Sequence, residues 1–304
     1  MTADILSDVL SVLTPVTPVA GGLDLGGDWA VSFPAHEGLK FFAIVAGRAW
    51  LRVEGDPDPI LLEEDDCVIL PAGRQFVLAR DLTSSPISIE TIPETDWHQR
   101  VAIIGGGDDT MLLGGHFAFT GLQMDLLLGG KPPILRLREE ADRNHLRWAL
   151  ERTRAELTEA RPGSALVVRH LAHLLLVQVL RIYIVSGVGR ATGWLFALAD
   201  PKIGRATQAI HSAPSDAWTL TRLAAEAGMS RSKFAERFRA LTGTSPIDYL
   251  IRWRMLLACR HLASGHDSVS KIATGLGYRS EAAFSTAFKR VMGCAPRRYR
   301  TTSA

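Results

Sequence analysis

Apolar residues in the first 125 positions come in short runs broken by turn formers. Trp29 to Phe33, Leu39 to Val45, Ala49 to Val53, Ile60 to Leu62, Cys67 to Leu70, Phe76 to Leu78 and Ile87 to Thr91 read as strands, with Gly47-Arg48, Glu54-Gly55-Asp56-Pro57 and Pro71-Ala72-Gly73 punctuating them. Many short strands at close spacing predict a β-sandwich or jelly-roll barrel. Ile5 to Leu13 ahead of them reads as a short amphipathic helix. Gly105-Gly106-Gly107-Asp108-Asp109 has no Lys-Ser/Thr after it and opens no long helix, so it is expected as a mobile loop and not a phosphate loop.

From Leu126 to Leu198 the period turns helical. Arg138 to Ala160 carries Leu146, Leu150 and Leu157 on one side, and Arg161-Pro162-Gly163-Ser164 breaks it. Ser164 then caps a helix from Ala165 to Val185 that is apolar around most of its circumference. Such a helix is buried on several sides, as core or as half of a dimer interface. Arg169, His170, His173, Gln178 and Arg181 interrupt it too often for a membrane span. His170 and His173 belong to a polar seam, since two nitrogens without a third partner make a poor metal site. Asp200-Pro201 opens a further helix to His211, which Pro214 ends.

One pattern then occurs twice between Trp218 and Arg300. Phe234, Phe238, Gly243, Pro246 and Tyr249 recur 50 positions later as Phe284, Phe288, Gly293, Pro296 and Tyr299, while Leu223, Ala224 and Gly228 recur 49 later as Ile272, Ala273 and Gly277. A repeat of this length is a duplicated supersecondary unit. Each copy has a short helix, a turn glycine and a second helix with Phe at i and i+4, which is the grammar of a helix-turn-helix. Burying the Phe pair leaves Arg231, Ser232, Lys233, Ala235, Glu236 and Arg239 outward in the first copy, and Glu281, Ala282, Ser285, Thr286, Lys289 and Arg290 in the second.

Charge changes the picture from two hairpins to a reader of a polyanion. The whole chain of 304 residues nets only +2, with 47% hydrophobic and 22% charged residues. Residues 205–304, however, hold 16 Lys+Arg against 6 Asp+Glu, a net +10, which leaves −8 for residues 1–204. One end alone is suited to nucleic acid. Asp4 and Asp8 stand where a signal peptide wants positive charge, and three scattered cysteines, Cys67, Cys259 and Cys294, make no disulfide framework. A cytoplasmic protein without a membrane partner is expected, its cysteines small buried hydrophobes and not sensors.

Gly47 to Val53 followed by Leu62 to Gly73, an acidic turn, an apolar strand and Pro71-Ala72-Gly73, resembles the two-part cupin signature. The stretch from Trp218 to Arg300 resembles the AraC-type DNA-binding domain, and the whole arrangement resembles AraC/XylS-type regulators with a cupin-like sensor. That resemblance implies an α+β chain in three parts. Residues 1–125 form a cupin-like β-barrel (jelly roll) for a small effector, residues 126–198 are central helices and a dimerisation segment, and residues 199–304 are an all-α domain with two helix-turn-helix units, entered near residues 187–199. It also implies a homodimer, RNA polymerase as a partner, and double-stranded promoter DNA as the target; the direction of the effect on transcription stays open.

Metal-dependent cupins carry clustered histidines. This chain offers His36 and Glu37, with Phe76 where the later His belongs, so no metal, no cofactor and no catalytic residue is expected, and no enzyme. Relatives with Cys-Gly at the position of Gly114-Gly115 sense oxidants, and this chain lacks that cysteine. Ser232, Ala235 and Glu236 are placed against base edges, with Arg231 and Lys233 on flanking phosphates; a Glu accepts from cytosine. Family members often carry Arg at Thr286, so the second helix lacks a guanine reader. Lys289, Arg290, Arg297, Arg298 and Arg300 suit phosphates. Trp253, on a helix linking the copies, is core. The recognition helices are expected about 34 Å apart, one turn of duplex. The effector pocket cannot be assigned from strand parity. A metal-dependent enzyme fused to a regulator and a thiol switch are the competing classes.

Overall fold

A computed structural model describes residues 5–12, 16–71, 73–98, 100–119, 123–124, 134–137, 140–159, 161–186, 193, 197 and 200–303. The chain forms two compact units. One comprises residues 15–121 and 131–189, the other residues 1–14, 122–130 and 190–304.

The first unit is built on strands β1 (Val16–Leu25), β2 (Ala30–Phe33), β3 (Leu39–Ala46), β4 (Arg48–Val53), β5 (Ile60–Glu63), β6 (Cys67–Leu70), β7 (Phe76–Ala79), β8 (Ile87–Ser88), β9 (Trp97–His98), β10 (Val101–Ile104), β11 (Thr110–Ala118) and β12 (Leu135–Leu137). They make a seven-stranded sheet in the order β12-β6-β3-β11-β1-β10-β9 and a five-stranded sheet in the order β5-β4-β7-β2-β8. Inward side chains of the first, including Leu23, Phe42, Ile44, Val68 and Leu112, meet Val31, Phe33, Leu51, Phe76 and Leu78 of the second in one core. Among the described residues the sheets do not close into the expected barrel. Two of their four edges are two-residue strands, β8 and β9, too short to continue a ladder around.

The strands expected from Trp29 onward form in place, the last giving way after Ser88 to a single helical turn, Ile89–Thr91. Three findings depart from the reading of the sequence. The glycine run is not a loose loop: Gly105, Gly106 and Gly107 all adopt positive φ (62°, 89° and 71°), and Asp108 N–H donates to Asp24 at 2.8 Å, closing a tight turn between β10 and β11. Strand β11 fills the centre of the large sheet. Residues 135–137, expected within helical sequence, instead pair with β6.

Helices α2 (Glu140–Thr158) and α3 (Ser164–Ser186) belong to the same unit. The Ser164 hydroxyl donates to the Glu156 carboxylate at 2.8 Å, closing the corner between them. In length and apolarity α3 would suffice to cross a membrane. Its stripe of Val168, Leu171, Ala172, Leu175, Leu176 and Val179 is buried, with α2 and β1 packed against the helix, while Leu166, Val167 and Leu174 remain exposed on the other side.

The second unit is helical: α1 (Ile5–Val12), α4 (Ile203–Ser212), α5 (Leu220–Glu226), α6 (Arg231–Thr242), α7 (Pro246–Ser264), α8 (Val269–Gly275), α9 (Glu281–Met292) and α10 (Pro296–Ser303). Asp200 starts α4 as expected, its Oδ1 accepting from the N–H groups of Lys202 and Ile203 at 2.9 Å each. Its Oδ2 accepts from Arg237 Nε on α6 at 2.8 Å. Burial works against its ionisation, but the Ile203 and Lys202 donors and the Arg237 guanidinium outweigh burial and hold the carboxyl below its ordinary value.

Candidate nucleic-acid interface and a cavity in the sheet unit

The duplicated pattern folds into two helix-turn-helix units of matching frame, α5–α6 and α8–α9. Thr219 caps α5 and Ser268 caps α8, each accepting a backbone N–H three residues on. Gly228 (φ 61°) and Gly277 (φ 80°) make the turns, and Gly243 and Gly293 end α6 and α9 in left-handed conformation at φ 74° and 75°. Phe234 and Phe238 lie 5.6 Å apart, Phe284 and Phe288 5.7 Å, and all four are fully buried. Each second Phe meets the following tyrosine edge-on, Phe238–Tyr249 at 5.6 Å and Phe288–Tyr299 at 5.7 Å.

That frame decides what faces out. On α6, Arg231, Ser232, Lys233, Glu236 and Arg239 are exposed and Ala235 is half-buried. Among the described residues none of these four charged groups has an ion-pair partner. Arg237, beside them, is committed to Asp200. On α9, Ala282, Thr286, Lys289 and Arg290 are exposed, while Glu281 and Ser285 are half-buried. Glu281 sits 3.6 Å from Arg297, and the Thr286 hydroxyl donates to the Ala282 carbonyl at 3.0 Å. Arg297 and Arg298 are exposed; Arg300 is half-buried and donates to the Asp267 carbonyl, so it braces the turn before α8. A residue passed over in the sequence is Arg279, exposed in the turn beside Ser280, the cap of α9. Its place directly ahead of a capping serine was the available signal.

Helix α7 joins the two units. Trp253 is core, stacked on His211 at 4.1 Å and 3°. Burial pushes the His211 imidazole down to about 3, and its Nε2 shares a hydrogen bond of 2.7 Å with the Tyr249 hydroxyl. Arg254 is 9% exposed and donates to the carbonyls of Pro214 at 2.7 Å and Asp216 at 2.9 Å, with its guanidinium over the Tyr278 ring. Gly277 lies against the same segment: a Cβ there would come within 2.1 Å of the Ser215 carbonyl oxygen. Loop, linker helix and second turn therefore meet at one joint.

In the sheet unit, a cavity of about 340 Å³ opens on the inner face of the large sheet. Register explains it. Lys40 pairs with His116, Phe42 with Gly114, and Ile44 with Leu112, while Gly114 and Leu112 pair onward with Gly21 and Leu23. These positions share one face, so across β3, β11 and β1 the row between Lys40 and Ile44 carries one side chain, Phe42, with Val68 continuing it on β6. Its ring lies on Gly114, where a Cβ would come within 2.6 Å of it. His36, expected in a loop or pocket wall, is half-buried with Nε2 3.0 Å from the Leu70 carbonyl oxygen, and burial lowers its imidazole to about 4. Among the described residues no three His, Cys, Asp or Glu side chains converge as a metal site. Cys67 and Cys259 are buried and their thiols pushed up to about 12, which disfavours the thiolate.

Comparison with known proteins gives the same division. A family model described as "Cupin" matches residues 4–185, and one described as "Helix-turn-helix domain" matches residues 223–302. The chain is 40% identical over 300 residues to an AraC-like transcription regulator of Streptomyces antibioticus, covering 98% of each protein. It is equally similar to one of Streptomyces lividans, again 40% over 98% of each. It is also 29% identical, over 91% of this chain and 92% of the other, to the HTH-type transcriptional regulator AlkR of Acinetobacter baylyi.

Proposed function

We propose a function from one premise: the chain belongs to the AraC-like transcription regulators, DNA-binding proteins with a helix-turn-helix domain, and here with a cupin domain before it. In this reading α6 and α9 enter successive major grooves of promoter DNA. Arg231, Ser232, Lys233, Ala235, Glu236 and Arg239 act in the first groove, with Glu236 accepting from a cytosine amino group. Glu281, Ala282, Ser285, Thr286, Lys289 and Arg290 act in the second. Arg297, Arg298 and Arg279 hold phosphates, whereas Arg300 serves the fold.

The observation that carries this reading is the pair of matched frames on a basic unit, each turning a different polar face outward. The first face has four charges without an ionic partner among the described residues, and the more distinctive chemistry. The second spends Glu281 on Arg297 and the Thr286 hydroxyl on its own backbone, so it anchors more than it reads. A small effector in the sheet unit then alters DNA affinity by binding one conformational state more tightly than another. Leu166, Val167 and Leu174 on α3 are the surface for a homodimer, and RNA polymerase is the partner on the promoter, in the cytoplasm.

Fluorescence anisotropy on promoter fragments tests the reading. Log affinity should fall with log salt at a slope of about −0.9 per phosphate neutralised, and bases under both helices should be protected in footprints. Salt-independent binding, or protection of one groove segment only, would refute it.

A further inference from the structure

The cavity in the sheet unit has a chemical asymmetry that its size alone does not convey. Its walls are apolar, with Leu23, Phe33, Phe42, Ile89, Trp97 and Leu112 around it, and Gly21 and Gly114 line it with backbone, the Arg100 carbonyl and the Phe42 ring lying where their side chains would be. The cationic residues at it are Lys40 and Arg100, with His116 beside Lys40 across the strands. Lys40 occupies an inward position of a sandwich core, half-buried, its Nζ 5.5 Å from the centre of the Phe33 ring and 5.6 Å from that of Phe76. Burial lowers its ammonium, and Glu90 opposes that only at longer range. Among the described residues no carboxylate lies within ion-pairing distance of Lys40 or Arg100. An ammonium held in an apolar pocket without a counter-charge is costly, and a negative group supplied by a ligand removes the cost.

The glycine floor adds shape. Two neighbouring strands without side chains at Gly21 and Gly114, with the Phe42 ring lying on one of them, leave a slot faced by aromatic rings. A slot of this volume suits a compact ligand, and its chemistry suits an apolar body with a single anionic head.

We propose that this cavity binds a small apolar monoanion, its carboxylate or equivalent group held by Lys40 with Arg100 beside it, and its body on the Gly21–Gly114 floor among Phe42, Leu112 and Trp97. The assignment rests on the reading of the sheet unit as an effector domain and names the class of effector. Lys40 selects for charge; the glycine floor and the rings select for a flat or narrow body.

The full-length protein is titrated calorimetrically with naphthylacetate and octanoate, and with their neutral counterparts naphthylethanol and octanol. At least one anion should bind about tenfold or more tightly than its alcohol. Lys40→Gln should abolish that preference while leaving alcohol binding in place, and Lys40→Arg should retain it, which separates loss of charge from loss of fold. Arg100→Gln should weaken anion binding by less. Equal binding of anion and alcohol, preference surviving Lys40→Gln, or no binding by any of the four compounds would overturn the assignment. Promoter affinity measured with and without the bound anion distinguishes the two readings: an anion held through Lys40 that leaves DNA affinity unchanged keeps the cavity assignment and sinks the effector role.

Discussion

In the first helix-turn-helix copy, α6 holds out Arg231, Lys233, Glu236 and Arg239 with no ionic partner among the described residues, and Ser230 at its start makes no capping hydrogen bond. In the second, α9 is capped by Ser280, Glu281 faces Arg297, and Thr286 bonds its own helix. Beneath these faces the aromatic frames agree to within a tenth of an ångström. The duplicated chain has thus kept what is buried, where a methylene of mismatch is felt, and let the exposed face diverge, where it is not. One copy has its polar chemistry available, and the other has spent part of it internally.

The largest effects test the shared frame. Phe238→Ala and Phe288→Ala should each destabilise the helical unit by about 3–5 kcal/mol in urea unfolding. Unequal losses, with one below about 1 kcal/mol, would break the equivalence of the copies. Tyrosines come next and should split the copies. Tyr249→Phe removes the hydroxyl bonded to the buried His211 Nε2 and should cost about 1–3 kcal/mol, against about 0.5–1.5 for Tyr299→Phe, whose hydroxyl meets the weaker partner Cys259.

The same histidine makes a pH prediction. With His211 depressed from 6.5 to about 3, its contribution is complete above pH 6.5 and is lost as pH falls toward 3, because the unfolded chain takes up the proton first. His211→Phe should remove up to about 1.4 kcal/mol per pH unit from the acid slope of stability. An unchanged slope would mean that water reaches the ring.

DNA binding sharpens the comparison at smaller scale. Glu236→Ala should shift preference at one base pair by about 1–3 kcal/mol, while Thr286→Ala should shift it little; selection on randomised sites reads both, and the reverse ranking would exchange the roles of the copies. Smallest and least selective is Lys289→Ala. It should weaken all sequences alike and reduce the salt slope by about 0.9.

The helical unit was legible because its signals are local and repeated: Phe at i and i+4, a turn glycine, a capping Thr or Ser. The sheet unit was legible from Trp29 to Ser88, where turn formers such as Gly47 and Gly55 separate short apolar runs. Strands β1 and β11 were not among the expected strands; each carries a glycine pair, Gly21-Gly22 and Gly114-Gly115, at mid-strand, with rings or backbone packed where side chains would be. That requirement is set by residues distant in sequence, Phe41, Phe42 and Arg100, and no local window contains it. The cavity was hidden for the same reason, since its inward row depends on register across three strands. At the DNA face the outward positions followed from helical period, but the pairing of Glu281 with Arg297 and the inward turn of Arg300 needed the fold.

The contact of Gly277 with the Ser215 carbonyl, locked by Arg254, has a consequence written in the promoter and not in the protein. Two helix-turn-helix units joined by backbone packing hold a fixed spacing. In the proposed reading the operator therefore keeps its two boxes in helical phase, and inserting about five base pairs between them, half of a 10–10.5 base-pair turn, would carry the second box to the far side of the duplex.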